Sequence, residues 1–206
     1  MTRAEFLKMM GAGAAVLALD AVPGASLIQS ANAQTTPLKK NQERLAFGLP
    51  DQEAKVDKPV TAIVIGAGSR GSVYASYSSE YSKALKIVGV ADINSTRRDL
   101  MKNLYGIAPE HCFGDWKEVF NLPKFADAVI IATPDNLHYD PCMVALAAGY
   151  DVLLEKPIAQ TEKECKNILK QAKKYGRIVG VCHVLRYSPY FRALKRVLDE
   201  GRVGDV

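Results

Sequence analysis

From residue 60 onward the apolar residues come in short unbroken runs, at 60–65, 86–91, 126–132, 151–154 and 178–182, with a weaker one at 111–113. Between them lie longer stretches with apolar positions at helical spacing, at 69–82, 95–105, 115–121, 137–148, 161–175 and 189–200. Short apolar runs without alternation are the pattern of parallel strands buried on both faces. The punctuation agrees: Thr161 stands three residues before Glu164 as a capping box, and Gly149, Gly176 and Gly201 each follow a helical stretch. Alternating strands and helices predict an α/β fold built on a doubly wound parallel sheet with right-handed crossovers. Ligands of such sheets bind at the carboxyl ends of the strands.

Upstream of residue 60 the pattern is different. Residues 34–59 are polar, hold Pro37, Pro50 and Pro59, and have Leu45, Phe47 and Leu49 as their only local apolar cluster. They read as a linker or arm, and the pattern fits a tether and a segment packed on a neighbouring subunit equally well. Residues 1–33 read as an export signal: Arg3 and Lys8, an apolar run of 11 residues from 9 to 19, then Ala31-Asn32-Ala33 as a small-x-small cleavage site. Such a run is too short to span a bilayer, which takes ~20 residues. The stretch Thr2-Arg3-Ala4-Glu5-Phe6-Leu7-Lys8 resembles a twin-arginine export motif with Ala4 in place of the second arginine. The alternative is an amphipathic N-terminal helix of a cytoplasmic protein. The polar stretch before the cleavage site favours export, which predicts a periplasmic or otherwise exported mature chain with no membrane association.

Composition narrows the classes. The 206 residues are 48% hydrophobic and 24% charged, enough apolar content for a packed core. The net charge of +5 is too mild to imply a nucleic-acid partner. The lysines of 161–175 and the basic residues of 189–200 are interleaved with Glu162, Glu164, Asp199 and Glu200, which makes them solvated helix faces. No repeat is present, so solenoids are excluded. Cys112, Cys142, Cys165 and Cys182 form no C-x-x-C and read as buried thiols. No H-x-x-x-H or Cys/His cluster occurs, so no bound metal is expected.

The main chemical signal is Gly66-Ala67-Gly68-Ser69-Arg70-Gly71, which follows the first strand directly and opens a helix. Gly66 allows the tight turn, Gly68 lets the backbone approach a pyrophosphate, and Gly71 permits close packing of helix on strand. The helix N-terminus offers Ser69, Arg70 and their neighbours as N–H donors to phosphate. Asp92, 21 residues after Gly71 at the end of the second strand, matches the acidic residue that binds the adenosine ribose. That favours NAD, while Arg97 and Arg98 nearby leave NADP open.

Three further motifs, Ala132-Thr133-Pro134-Asp135-Asn136-Leu137-His138, Glu155-Lys156-Pro157 and Arg186-Tyr187-Ser188-Pro189, stand in an order that resembles the Gfo/Idh/MocA family, the group of glucose–fructose oxidoreductase and inositol dehydrogenase. The resemblance covers about residues 60–206. It implies an NAD(P)-dependent oxidoreductase of sugars, cyclitols or glycosides, with a Rossmann domain here and a second, α+β domain beyond Val206 that carries substrate residues and the oligomer interface. By resemblance Lys156 is the catalytic residue and also touches the cofactor, Glu155 faces the nicotinamide ribose, Pro157 follows a cis peptide bond, and Arg186 lies near cofactor or substrate. Thr133 and Pro134 line the dinucleotide.

The residues themselves support part of this. Lys156 ends a strand at the ligand edge, where a partly desolvated ammonium beside a nicotinamide cation would have a lowered pKa and could exchange a proton with a substrate hydroxyl. His138, counted with the cofactor-binding residues, reads as a loop-fixing hydrogen-bond partner there, His183 as either a pocket residue or a structural one, and His111 as structural. The family's catalytic histidine is expected beyond Val206, so this chain supplies the cofactor-binding half and is expected to be inactive alone. Two other functions fit the same motifs: an NAD-dependent glycoside hydrolase of this family, and a dinucleotide-binding remnant without turnover. The intact Glu155-Lys156-Pro157 leans toward the dehydrogenases.

Overall fold

A computed structural model describes residues 57–204. The export signal at 1–33 and nearly all of the arm at 34–59, with Leu45, Phe47 and Leu49, lie outside the described residues. Six strands, β1 (Val60–Ile65), β2 (Leu85–Ala91), β3 (Cys112–Phe113), β4 (Ala128–Ile131), β5 (Asp151–Leu154) and β6 (Val179–Val181), form one parallel sheet in the order β3-β2-β1-β4-β5-β6. The helices are α1 (Ser69–Glu80), α2 (Ser95–Tyr105), α3 (Trp116–Val119), α4 (Tyr139–Ala147), α5 (Glu162–Tyr175) and α6 (Pro189–Asp199). This is the doubly wound sheet expected from the alternation, and its order reverses between β1 and β4, where a crevice opens at the carboxyl edge.

The apolar runs lack alternation because both faces of the sheet are covered. Ala62, Val64, Ile130 and Leu153 face one core with Val73, Tyr74 and Tyr77 of α1 and Met101 of α2. Ile63, Ile65, Val129, Ile131, Val152 and Leu154 face the other, with Cys142, Ala145 and Leu146 of α4 and Ile168 and Ala172 of α5. Successive strand residues therefore enter opposite cores, and all must be apolar.

Several boundaries differ from the apolar runs, each for a local reason. Strand β4 begins at Ala128 and not 126 because Asp127 is engaged at the amino edge, where its Oδ2 accepts from the Thr61 N–H at 3.0 Å and Oγ1–H at 2.9 Å. Asp151 does similar work, accepting from the Ile178 N–H at 3.0 Å, and β6 starts at Val179. His111 is taken from β3 by a 3-10 turn, Pro109–His111, and its ring stacks on Phe125 at 4.0 Å, which is the structural role expected of it. Helix α1 stops at Glu80, where Tyr81 leaves helical geometry. Asp115 caps α3 through the Lys117 N–H, and that helix is one turn long. The expected helix 137–148 is split into a 3-10 turn, Asp135–Leu137, and α4 (Tyr139–Ala147), with His138 between them in helical geometry.

The capping box at the start of α5 is present in both directions, Thr161 with the Glu164 N–H and Glu164 with the Thr161 N–H. Helix α6 is the one described helix of its length that buries no residue, with Tyr190, Phe191, Leu194 and Leu198 exposed along it. Among the described residues no helix is long and apolar enough to cross a membrane. No group of three metal-ligating side chains occurs among them.

Candidate functional site

The carboxyl edge of the sheet collects the chemistry-bearing residues in a row. The Gly-rich turn leaves β1, Asp92 leaves β2, Thr133-Pro134 leaves β4, Glu155-Lys156-Pro157 leaves β5, and Arg186 follows β6 in a 3-10 turn, Val184–Tyr187. Chain order scatters these residues over more than a hundred positions, and the parallel sheet brings all their strands out at the same edge.

The Gly-rich turn is shaped by its neighbours. Gly66 has φ +92°, and a Cβ there would stand 2.6 Å from the Ala132 carbonyl oxygen. A Cβ on Gly71 would stand 1.9 Å from the Gly66 carbonyl oxygen, so helix α1 can leave the turn at this angle only without a side chain. Gly68 is different: its φ of −72° suits any residue, and a Cβ would meet only the Arg97 Nη1 at 3.7 Å. Its glycine answers no steric demand from the protein itself. Gly68 is also the N-cap of α1, with no side chain capping the helix and no acidic residue in its first turn. The first N–H groups of α1, beginning at Ser69 and Arg70, thus have no capping side chain and carry the positive end of the helix dipole. An anionic pyrophosphate fits that cradle.

Asp92 is drawn to the same turn. Its Oδ2 accepts from the Ala67 N–H and its Oδ1 from the Asn94 N–H, both at 2.7 Å. Arg98 donates to the Asp92 carbonyl oxygen at 2.7 Å, so one of the two arginines is turned to the backbone, while Arg97 stands beside Gly68. The carboxylate is held where the first strand ends, against the Gly-rich turn.

His138 is 1% exposed and clamps the next two loops together. Its Nδ1 lies 2.6 Å from the Pro157 carbonyl oxygen and its Nε2 2.9 Å from that of Thr133. Thr133 Oγ1–H donates in turn to the Leu137 carbonyl oxygen at 3.0 Å. This is the loop-fixing role read from the sequence. The Lys156–Pro157 peptide is cis.

Two expectations meet different surroundings. Lys156, expected to be partly desolvated, has an exposed side chain, because the turn carrying it projects beyond the sheet edge. Glu155, expected at the nicotinamide ribose, is 4% exposed and has both oxygens engaged within the protein. Oε1 accepts from Arg70 Nε at 2.5 Å and from the Tyr74 hydroxyl at a shorter distance, and Oε2 accepts from the Lys156 N–H at 2.8 Å. A buried carboxylate requires such donors, and the protein supplies them. Arg70 accordingly points to Glu155 and Tyr74, not along the turn, and its Nη2 donates to the Tyr74 oxygen at 2.7 Å.

The protonation pattern of this cluster is consistent. Burial works to raise the Glu155 carboxyl, but the hydrogen bonds from Tyr74, Arg70 and the Lys156 N–H outweigh it and leave it below the usual range. Burial, with Cys182 and Glu155 alongside, pushes the Tyr74 hydroxyl well above its ordinary value, so it remains a donor. Burial also pushes the Cys182 thiol up to about 12 and makes it inert, as expected of a buried cysteine. Tyr74 is the residue sequence reading missed. Its signal was its place four residues after Arg70 on the inner face of α1, where a buried phenol must find a partner. Arg186 and His183 are exposed at the far end of the row.

The profile of the oxidoreductase family with an NAD-binding Rossmann fold matches residues 60–183, which takes in the Gly turn, Asp92 and both loops clamped by His138. The chain belongs to the Gfo/Idh/MocA family. Its cofactor is accordingly a nicotinamide dinucleotide. Inositol 2-dehydrogenase of Azotobacter vinelandii is 34% identical over 143 residues, covering 69% of this chain and 42% of that protein. Its counterpart from Klebsiella pneumoniae is 32% identical, covering 68% and 42%. Among solved structures, myo-inositol 2-dehydrogenase of Lactobacillus plantarum aligns with a TM-score of 0.64 at 25% identity, over 72% of this chain and 43% of that one. The chain thus spans less than half the length of these Gfo/Idh/MocA relatives.

Proposed function

We propose that this chain is the cofactor-binding half of an NAD(P)-dependent oxidoreductase acting on a sugar, cyclitol or glycoside as part of a homo-oligomer. The observation that carries the reading is the placement of an open Gly68 cradle, the Asp92 carboxylate and the Lys156 turn on one sheet edge. The α1 N-terminus would hold the pyrophosphate, Asp92 the adenosine ribose, and the backbone at Thr133 and Pro134 the nicotinamide end. The bound nicotinamide supplies the hydride acceptor. Lys156, projecting at the same edge, exchanges the proton of the substrate hydroxyl as the carbonyl forms.

NAD(H) is preferred over NADP(H), since a 2′-phosphate would meet the Asp92 carboxylate. Titration calorimetry should show NADH bound at least about tenfold more tightly than NADPH, and Asp92→Ala should bring the two within about threefold. Equal affinities in the unmodified chain would sink the preference.

Residues 1–33 support export with the cofactor already bound, because nicotinamide dinucleotides are held in the cytoplasm and a twin-arginine route carries folded proteins. Cells lacking that machinery should retain the protein unprocessed. Mature protein in their periplasm would overturn the route.

A further inference from the structure

We infer that Arg70, Tyr74 and Glu155 act together as a positioning unit that fixes the backbone of Lys156 relative to the pyrophosphate cradle, in place of Glu155 serving as a ribose ligand. The inference rests on the dinucleotide-binding reading but concerns residues that need not touch the nucleotide.

The geometry is specific. Arg70 belongs to the Gly-rich turn and to the first turn of α1, so it moves with the cradle. Glu155 directly follows β5, two strands away from β1 in the sheet, and is joined to Lys156 both covalently and through its own Oε2. A single carboxylate therefore receives the cradle on one oxygen and the proton-exchanging turn on the other. Tyr74 closes the arrangement by donating to that first oxygen while accepting from Arg70, and the Arg70 guanidinium stands 5.0 Å from its ring centre. Tyr74 is itself held at 1% exposure in the core formed with Leu153 and Cys182. The unit is thus anchored to the sheet, and a shift of α1 would be transmitted to the Lys156 amide.

A ribose ligand would present an accessible carboxylate. Glu155 presents almost none, and a ribose hydroxyl would have to displace a charged donor or a buried phenol to reach it.

The test reads both the protein and the nucleotide. Exchange is read amide by amide, so that the Lys156 N–H is followed separately from its neighbours. Hydrogen exchange of the whole chain without nucleotide is measured for the unmodified protein, Tyr74→Phe, Arg70→Gln and Glu155→Gln. Binding of NADH and of AMP is measured in parallel. Each substitution is expected to speed exchange at Lys156 about tenfold or more. NADH should weaken about fivefold or more, with AMP unchanged within about twofold and Tyr74→Phe adding little in a Glu155→Gln background.

If Glu155→Gln alone weakens NADH while Tyr74→Phe and Arg70→Gln leave both exchange and affinity unmoved, Glu155 is a direct ligand and the positioning unit is wrong. Equal loss of NADH and AMP affinity would mean a general structural role and would overturn it too. Arg70→Gln, at a partly exposed position, keeps the test open if Tyr74→Phe folds poorly. Failure of the unmodified chain to bind NADH would count against the proposed function, while the exchange pattern would still decide the positioning unit.

Discussion

Gly71→Ala is expected to destabilise the fold by about 3 kcal/mol, the upper end of the usual cost of overpacking, and to abolish dinucleotide binding, whereas Gly68→Ala should spare the fold and damage binding alone. The difference follows from what each new Cβ meets. At Gly71 it would overlap the backbone carbonyl of Gly66 at 1.9 Å, and no side-chain rotation relieves a clash with backbone. Helix α1 would have to move away from β1, pulling Val73, Tyr74 and Tyr77 out of their core. At Gly68 the added carbon makes only an ordinary contact with Arg97 at 3.7 Å and needs no change in φ. Its effect on stability should stay under about 1 kcal/mol, the size of an N-cap change. That same carbon would stand in the space where a pyrophosphate approaches the α1 N-terminus, so NADH affinity should fall about tenfold or more. Urea denaturation and NADH titration of the two variants separate the roles. A Gly68→Ala protein that binds NADH normally would show that the phosphate is held elsewhere.

The second large effect is expected at His138. Removing the imidazole in His138→Ala takes away a side chain that is 1% exposed and bridges the carbonyls of the half-buried Thr133 and the exposed Pro157. A neutral imidazole has one N–H and donates to one carbonyl at a time, so losing that hydrogen bond together with the buried ring's packing should lower stability by about 1–3 kcal/mol, seen as a lower urea midpoint at unchanged slope. The consequence for binding is directional. The Thr133-Pro134 and Lys156-Pro157 loops lose their clamp, while the Gly turn and Asp92 keep theirs, so NADH should weaken and AMP should not. A loss below about 0.5 kcal/mol would show that both carbonyls find water when the ring is gone, and that the loops are held by other contacts.

Much of this protein is determined locally and was legible in the sequence. The Gly turn, the capping box of Thr161 and Glu164, and the unbroken strand runs each depend on neighbours a few residues apart or on burial of both sheet faces. Those are properties a linear pattern carries. The element ends were less legible, because the Asp127 carboxylate takes donors from Thr61 and the Asp151 carboxylate takes the Ile178 N–H, residues tens of positions away, just where β4 and β6 begin. What tertiary structure alone decided is how the motifs meet. Arg70 and Glu155 are 85 positions apart, and Tyr74 and Glu155 are 81 apart. No periodicity links residues at such separations. Only the reversal of strand order between β1 and β4, with α1 crossing over one face, sets the turn that follows β1 near the end of β5. The family resemblance placed Glu155 at the nicotinamide ribose, and its linear context alone left it a surface carboxylate beside a lysine. Folding buried that carboxylate, and a buried charge must take its partners from the protein, so Arg70 and Tyr74 are where its hydrogen bonds went.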